Sequence, residues 1–223
     1  MLKIRYTEDE VIEVGIDEAG RGCFWGPMYA GAVIWAPEDT MNDEQREVAG
    51  KIKDSKKLTP KRRIALAEAI KKLAVEWSVG AVQAAEIDEI GMTKSNQLAF
   101  VRALTKLSSN PERLLIDGIL SIYDAPWSFK EQIVEPEMDG HYVPVAAASI
   151  LAKVSHDEWV AEYCTRNEHI AERYDLLSNK GYGTARHRAG IVEYGHTKEH
   201  RQTFLRKLYA GRAVKDVAEL TEE

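Results

Sequence analysis

Four acidic residues lie near the ends of predicted strands or the starts of predicted helices, beside glycines or other small residues: Asp17, Glu18, Asp117 and Asp139. Asp17 and Glu18 end one apolar run, and Asp117 ends another. Ligands of an open α/β sheet bind beyond the ends of its strands, so we expect these side chains to converge in one cleft. The pattern therefore predicts a cluster of carboxylates.

The predicted carboxylate cluster needs cations to offset its charge. Two like charges about 4 Å apart repel by roughly 4 kcal/mol at an effective dielectric constant near 20. Oxygen ligands without accompanying His or Cys favour Mg²⁺ or Mn²⁺, and two such ions roughly 3.5–4 Å apart suit in-line attack on a phosphodiester. The resulting hypothesis is a site for two Mg²⁺ or Mn²⁺ ions.

Each of these acids also has a simpler interpretation. Asp17 and Glu18 could be an acid pair at the end of a loop, and Asp117 and Asp139 could be turn residues that precede a glycine. A fifth acid, Asp157, follows a lysine by four residues on a predicted helix. That spacing favours an ion pair over a metal ligand, so Asp157 is not included in the predicted site.

An arginine between two glycines, Gly20-Arg21-Gly22, follows the first two acids. Glycine lets the backbone approach a ligand closely and adopt positive φ, and Arg21 can fork onto a phosphate. The segment therefore favours a loop that lies against a nucleic-acid backbone, and a tight turn between strands explains the same residues equally. Tyr182 also lies between two glycines, which favours an exposed ring that can stack beside a sugar.

A basic run surrounds the start of a predicted helix. Its members are Lys56, Lys57, Lys61, Arg62 and Arg63. Such an edge suits the phosphates of a duplex, with Ser55 as a further phosphate contact, although a solvated helix face is the simpler interpretation. The six histidines show no metal-binding spacing; we expect solvent-facing or hydrogen-bonding roles, and we expect His187 to reach a DNA strand.

Composition excludes several classes of protein. The 223 residues are 44% hydrophobic and 30% charged, with a formal net charge of −6, which argues against bulk coating of nucleic acid but leaves room for a local basic groove. No apolar run reaches the roughly 18 residues of a membrane span, and the N-terminal residues do not resemble a signal peptide. Cys23 and Cys164 are too few and too distant for a disulfide framework or zinc cluster. We expect a cytoplasmic, monomeric protein of one domain, residues 1–223.

The acids require strands and helices that position them, and apolar patterning predicts both. Strands are predicted at residues 11–16, 28–36, 78–85, 113–116 and 127–134. Helices are predicted within 37–54, from Thr59-Pro60 through an apolar face that includes Leu66 and Trp77, at 86–107 with a break at Gly91, at 145–170, at 184–194 and beyond 201. The order indicates an α/β domain with a helical C-terminal portion from about residue 180.

Five segments in order resemble the ribonuclease HII family, which is the type 2 ribonuclease H family. They are GIDEAGRGCFWGP at 15–27, DSKKLTPKRR at 54–63, LLIDG at 114–118, DGHYVPVAAASILAKVSHD at 139–157 and GYGTARH at 181–187. The resemblance implies a ribonuclease H-like mixed sheet flanked by helices. It also implies hydrolysis of RNA in RNA/DNA hybrids and nicking of duplex DNA 5′ of embedded ribonucleotides, which leaves 3′-hydroxyl and 5′-phosphate ends.

The resemblance also implies the roles of individual residues. Asp17, Glu18, Asp117 and Asp139 correspond to the four metal-binding catalytic acids. Gly20, Arg21 and Gly22 correspond to the loop that inspects the ribose, beside Tyr182, and Ser55 and Lys56 are assigned to substrate binding. The chain departs from the family's common pattern at Phe24-Trp25 and Gly140-His141, and neither departure removes a metal ligand.

Two other functions are weighed against this one. An acid-cluster nuclease or recombinase acting on DNA would share the acids, but ribose sensing explains Tyr182 and the glycine-flanked arginine better. A duplex-binding module without turnover is disfavoured because all four acids are present. The segment QTFLRKL at 202–208 faintly resembles a replication-clamp peptide and is better interpreted as an amphipathic helix.

Overall fold

A computed structural model describes residues 2–53, 55 and 58–209. Five strands form one sheet. They are β1 (Glu13–Ala19), β2 (Met28–Ile34), β3 (Glu76–Val82), β4 (Arg113–Asp117) and β5 (Glu131–Glu135).

Helices separate and follow these strands in the described part of the chain. They are α1 (Asp43–Lys51), α2 (Pro60–Leu73), α3 (Ala84–Ile90), α4 (Met92–Leu104), α5 (Val143–Arg166), α6 (Glu168–Tyr174), α7 (Leu176–Asn179), α8 (Ala185–Tyr194) and α9 (Gln202–Tyr209). The predicted caps are confirmed, because the side chains of Thr59 and Thr184 accept backbone N–H groups at the starts of α2 and α8.

The sheet is mixed, with strand order β3-β2-β1-β4-β5. Strand β1 lies at its centre, antiparallel to β2 and parallel to β4, and β5 continues the parallel side. Strand β3 pairs antiparallel with β2 at the other edge. Since β1 and β4 run in the same direction, their C-terminal residues emerge at one end of the sheet.

Two glycines let α5 lie directly on the centre of the sheet. A Cβ atom on Gly15 would lie 2.2 Å from the backbone carbon of Pro144, and one on Gly31 would lie 2.3 Å from the carbonyl oxygen of Ala148. These distances are too short for any side chain, so both positions require glycine. The close approach brings the N-terminal half of α5 against the strand that carries the first two acids.

Helices cover both faces of the sheet. One core cluster joins α1, α2 and α5 to the sheet, and a second joins α3 and α4 to its opposite face. A third cluster packs Trp25 and the end of α5 against α6 to α9. The predicted mixed sheet flanked by helices, with a helical C-terminal portion, is confirmed.

Several predicted boundaries were wrong. Trp77 lies on β3 rather than on the face of α2, which ends at Leu73. The segment Trp127–Phe129 is a 3₁₀ turn before β5, and the predicted helix 145–170 is divided at Asn167 into α5 and α6. These differences arise because apolar spacing continues across chain reversals that local sequence marks weakly.

No helix in the described part of the chain is both long enough and apolar enough to cross a membrane.

Candidate active site at the end of the central strands

The parallel register of β1 and β4 brings two acids to the same end of the sheet. Ile16 pairs with Ile116, so Asp17 and Asp117 are the next residues on adjacent strands. Adjacent strands lie about 4.8 Å apart. Asp17 and Asp117, which are 100 positions apart in sequence, are therefore neighbours.

Asp17 and Glu18 lean toward opposite faces of the sheet, as successive strand residues do. Ser149 on α5 lies beside Asp17, and interaction with its hydroxyl opposes the rise in the pKa of that carboxyl. Asn96 on α4 lies beside Glu18 and interacts with its carboxylate, although Asn96 Nδ2 makes no hydrogen bond of ordinary geometry to any described residue. The two acids are thus supported from the two helical layers.

The carboxylates at this edge influence one another electrostatically. Burial raises the pKa of Asp17 well above its ordinary value, and the charges of Glu18 and Asp117 raise it further. Burial also raises the pKa of Glu18, and the charge of Asp117 adds to this shift. Arg21 opposes it, because Arg21 Nη1 lies 3.7 Å from Glu18 Oε1. Three carboxylates therefore lie within electrostatic reach of one another.

The fourth acid, Asp139, is buried in a 3₁₀ turn, Met138–Gly140, immediately before α5. The backbone N–H of Met138 donates to Asp117 Oδ1 at 2.7 Å, which ties this turn to the end of β4. The turn therefore brings Asp139 to the end of the sheet that carries the other acids.

Asp17, Glu18, Asp117 and Asp139 are called the four acids below. Among residues 2–53, 55 and 58–209, no three Asp, Glu, His or Cys side chains are already arranged as a chelate for one ion. The donor set still fits a hard divalent cation, because its ligands are carboxylate oxygens and a cation would relieve the repulsion recorded by the raised pKa of Asp17.

Gly20, Arg21 and Gly22 form a loop directly after β1, which we call the glycine loop. Gly20 has φ +79°, and a Cβ atom there would lie 2.6 Å from His156 Cδ2. Both its backbone conformation and its contact with α5 therefore require glycine. Arg21 extends to the surface, and its guanidinium faces Glu18.

Tyr182 lies beside the glycine loop. It forms an antiparallel bridge with Cys23, and a Cβ atom on Gly22 would lie 3.8 Å from Tyr182 Cε1. The residue is 40% exposed, with Lys153 Nζ 5.7 Å from its ring centroid. Burial of the hydroxyl raises the pKa of Tyr182 to about 12, so the phenol stays protonated at neutral pH. The structure thus brings Tyr182 to the loop.

Arg201 supports the loop from the protein interior, and sequence analysis missed it. It is fully buried; its Nε donates to the carbonyl oxygen of Gly26 at 3.0 Å, and its Nη1 donates to that of Arg21 at 2.9 Å. Burial lowers its pKa to about 10, so the guanidinium remains charged at neutral pH. No local pattern around Arg201 signals this contact.

Asp157 pairs with basic groups rather than with the four acids, and its predicted ion pair is confirmed. Lys153 Nζ lies 2.7 Å from Asp157 Oδ1, and His156 Nδ1 lies 3.1 Å from the same oxygen. Arg63 Nη1 approaches Asp157 Oδ2 at 3.6 Å. The carboxylate therefore joins α2 to the part of α5 beneath Gly20.

The predicted basic edge is smaller than expected. Arg63 points inward, where its Nε donates to the carbonyl oxygen of Ser55, so its inclusion in a phosphate-facing edge was wrong. Lys61 and Arg62 are exposed. Ser55 is buried, with its hydroxyl 3.0 Å from that of Ser149. Asp54, Lys56 and Lys57 lie outside the described residues, so the substrate-binding assignment of Lys56 stays a prediction.

The departures at Phe24-Trp25 are accommodated by packing. Trp25 is fully buried and contacts Trp159 and Tyr163, while Phe24 packs against Phe204. His141 at the second departure is exposed. His187 is fully buried, so the expectation that it reaches a DNA strand was wrong; its ring is enclosed by the C-terminal helices.

The mixed sheet, its flanking helices and its acid-bearing end define a nuclease of the ribonuclease H-like fold. Two solved structures share this fold with 27% identity and a TM-score of 0.70. One is ribonuclease H2 from Pyrococcus horikoshii OT3, with 89% of this chain and 97% of that chain covered. The other is ribonuclease HII in its complex with PCNA from Archaeoglobus fulgidus, with 88% and 96% covered.

Sequence comparison gives the narrower assignment. Residues 14–211 match the family model described as ribonuclease HII. A ribonuclease HII from Bacteroides thetaiotaomicron is 44% identical over 205 residues, which cover 91% of this chain and 94% of that protein. The chain belongs to the ribonuclease HII family, and it is a metal-dependent endoribonuclease.

Proposed function

We propose that this chain hydrolyses the RNA strand of RNA/DNA hybrids and nicks duplex DNA on the 5′ side of an embedded ribonucleotide. The products carry 3′-hydroxyl and 5′-phosphate ends. The observation that carries this proposal is the continuity of β1 with the glycine loop, whose next residue, Cys23, is bridged to Tyr182. Acids suited to phosphodiester hydrolysis and groups suited to sugar recognition therefore belong to one connected segment.

In the proposed mechanism, the four acids hold two divalent ions, Mg²⁺ or Mn²⁺. When bound, such ions supply an activated water and stabilise the leaving oxygen. The chain's own contribution is orientation: the Ser149 hydroxyl restrains Asp17, and the Met138 N–H restrains Asp117. Restrained carboxylates need less reorganisation when the reaction begins.

Ribose recognition is assigned to the glycine loop and Tyr182. RNA differs from DNA at the 2′-hydroxyl, which both donates and accepts hydrogen bonds. Gly20 and Gly22 leave the loop backbone open to close approach by a sugar. Tyr182 carries a protonated hydroxyl and a partly exposed ring beside that backbone. These groups suit a test for the 2′-hydroxyl.

Duplex binding is assigned to the start of α2. Lys61 and Arg62 are exposed there, next to the predicted contacts Ser55 and Lys56. The hydroxyl of Ser55 already bonds to Ser149, so a phosphate contact by Ser55 would share that hydroxyl. The basic side chains at this edge offset the chain's net negative charge locally, and they make duplex binding sensitive to salt.

We further propose a monomeric enzyme of one domain that acts in the cytoplasm, where its nucleic-acid substrate is found. The clamp partner of the Archaeoglobus fulgidus relative is not assigned to residues 202–208 of this chain. The side chain of Leu205 is fully buried, and the backbone N–H groups of Gln202 and Thr203 donate to Asp88. The helix α9 therefore packs and hydrogen-bonds against the rest of this chain.

The test uses a DNA duplex with one ribonucleotide, beside an all-DNA duplex of the same sequence, with Mg²⁺ or Mn²⁺. We expect a nick only in the first duplex, on the 5′ side of the ribonucleotide. Asp17→Asn is the matched control: we expect it to abolish nicking and to keep substrate affinity within about tenfold, because the acid acts mainly on the transition state.

Other outcomes of this test favour the other functions. Cleavage of both duplexes would indicate a DNA nuclease, and binding without cleavage would indicate a duplex-binding module. Loss of binding in Asp17→Asn with unchanged turnover would refute the role assigned to this acid.

A further inference from the structure

Two buried histidines form a hydrogen-bonded chain that ends at Tyr182. The backbone N–H of Thr197 donates to His200 Nδ1 at 2.9 Å. His200 Nε2 lies 3.1 Å from His187 Nε2. His187 Nδ1 in turn lies 3.0 Å from the carbonyl oxygen of Tyr182. The two rings thus connect Thr197 to the backbone of Tyr182.

The groups at the two ends fix the positions of the ring protons. A carbonyl oxygen only accepts, so His187 Nδ1 must carry a hydrogen, which leaves its Nε2 as an acceptor in the neutral ring. A backbone N–H only donates, so His200 Nδ1 must be the acceptor and its Nε2 carries the hydrogen. His200 Nε2–H therefore donates to His187 Nε2. One proton arrangement satisfies every contact, and it requires both rings to be neutral.

The surroundings favour these neutral rings. Burial lowers the pKa of His187, although Asp175 opposes this shift. Burial lowers the pKa of His200 well below its ordinary value, and His187 and His196 add to that shift. The ring of Tyr174 lies 5.9 Å from His187 and 4.7 Å from His200. An aromatic, enclosed site of this kind disfavours imidazolium.

Tyr182 needs such an anchor because its two neighbours are glycines. Its N–H donates to the carbonyl oxygen of Asn179 at 3.0 Å, and its own carbonyl accepts from Thr184 N–H at 2.8 Å as well as from His187. Rotation of that carbonyl would move the Tyr182 ring relative to Gly22. The histidine chain therefore restrains the orientation of the ring at the glycine loop.

We propose that His187 and His200 are positioning residues for ribose recognition: His187 donates a directed hydrogen bond to the Tyr182 carbonyl, and His200 donates to His187 and so fixes the tautomer that can make that bond. This inference rests on the proposed function, because Tyr182 is assigned there to the sugar. The hydrogen bonds of the two histidines lead to Thr197, to each other and to Tyr182. Their loss should therefore slow cleavage beside a ribose by displacing Tyr182 rather than by altering the four acids.

Matched variants separate the hydrogen bond from the bulk of the ring. His187→Asn keeps an N–H donor close to the position of Nδ1, whereas His187→Leu removes it. We expect His187→Leu to lower kcat on the ribonucleotide duplex by about tenfold or more with a smaller change in KM, and His187→Asn to stay within about threefold of wild type. The exposed His169→Leu is the control and should match wild type.

A second pair tests the other ring. His200→Gln keeps an N–H donor near the position of Nε2, and His200→Leu does not. We expect the Gln variant to retain more of the wild-type kcat on the ribonucleotide duplex than the Leu variant does. A wild-type kcat on the ribonucleotide duplex in both His187→Leu and His200→Leu would refute the positioning role, provided that each variant shows wild-type circular dichroism.

A further measurement uses the wild-type protein, so its result does not depend on whether a variant folds. Long-range ¹H–¹⁵N NMR spectra distinguish the two tautomers of histidine. We expect the Nδ1–H tautomer for His187 and the Nε2–H tautomer for His200 at neutral pH. Any other protonation of either ring would overturn the proposed chain. A wild-type protein that cleaves neither duplex would instead refute the proposed function, whatever tautomers the spectra show.

Discussion

Replacement of Asp17 by Asn should make the metal-free protein more stable while it abolishes cleavage. Asp17 is buried beside Glu18 and Asp117, and its pKa is raised by burial and by those charges. Its two acceptor contacts are with the Ser149 hydroxyl and the Glu18 N–H, which lies 2.7 Å from Asp17 Oδ1. The amide oxygen of Asn can accept from the Glu18 N–H, and a hydroxyl such as that of Ser149 can pair with either end of an amide because it both donates and accepts. The substitution therefore removes the charge while both contacts remain available.

The expected magnitude follows from the strand geometry. Carboxylates about 5–6 Å apart on neighbouring positions repel by roughly 3 kcal/mol per pair at an effective dielectric constant near 20. Loss of charge also weakens each accepted hydrogen bond by about 1 kcal/mol. Two such pairs, less two weakened hydrogen bonds, give an expected net gain of about 4 kcal/mol in the free energy of unfolding. Each kcal/mol corresponds to about 2–4 °C in Tm at this chain length.

The pH dependence of the stability difference between wild type and Asp17→Asn tests whether the charge of Asp17 causes it. An acid whose pKa is higher in the folded state binds more protons there than in the unfolded chain, so stability falls as pH rises from about 4 toward the raised pKa. Asp17→Asn lacks this loss. Urea unfolding in EDTA should therefore show a difference between the two proteins that is small near pH 4 and largest at pH 8. Added Mg²⁺ should then stabilise wild type more than the variant.

Two results would refute this reasoning. An Asn variant that is less stable than wild type in EDTA at pH 8 would show that Asp17 is not destabilised by its neighbours. A difference of the same size at low and high pH would show that charge is not the cause.

Two further predictions concern the fold. Gly31→Ala should lower the free energy of unfolding by about 1–3 kcal/mol or prevent folding, because the new Cβ would lie 2.3 Å from the carbonyl oxygen of Ala148. Gly50→Ala is the control: its new Cβ has no atom within 4 Å, and the change should stabilise α1 by about 0.5–1 kcal/mol. Equal urea midpoints for the two variants would contradict the close approach. Arg113→Met should cost about 3–5 kcal/mol because it leaves the buried Glu13 carboxylate without its partner, and Glu13→Gln in the same protein should recover part of that loss in urea unfolding.

Local patterns predicted many of the elements. The Thr59-Pro60 pair marked the start of α2, and the apolar run before Asp117 marked β4. Such signals depend on neighbouring residues alone, which is why they can be read from sequence. Trp77 was predicted on the helix because its spacing from α2 matches a helical face, although Ala74 ends that helix and Trp77 lies on an edge strand.

The site was only partly predictable for a different reason. Acids at strand ends are a local signal. Their predicted convergence agrees with the observed register of β1 with β4. The supports of the glycine loop depend on tertiary packing. Arg201 reaches Arg21 across 180 positions, and His200 reaches Tyr182 only through His187. No spacing rule connects such residues, so the structure was needed to find them.

The contact between Arg201 and the glycine loop has a consequence for the order of assembly. Closing a loop of 180 residues carries an entropic cost that is recovered only when both ends are already structured. During synthesis the acids emerge from the ribosome long before Arg201 does. We therefore expect β1 and β4 to pair before the glycine loop takes its final shape, which requires Arg201 to dock.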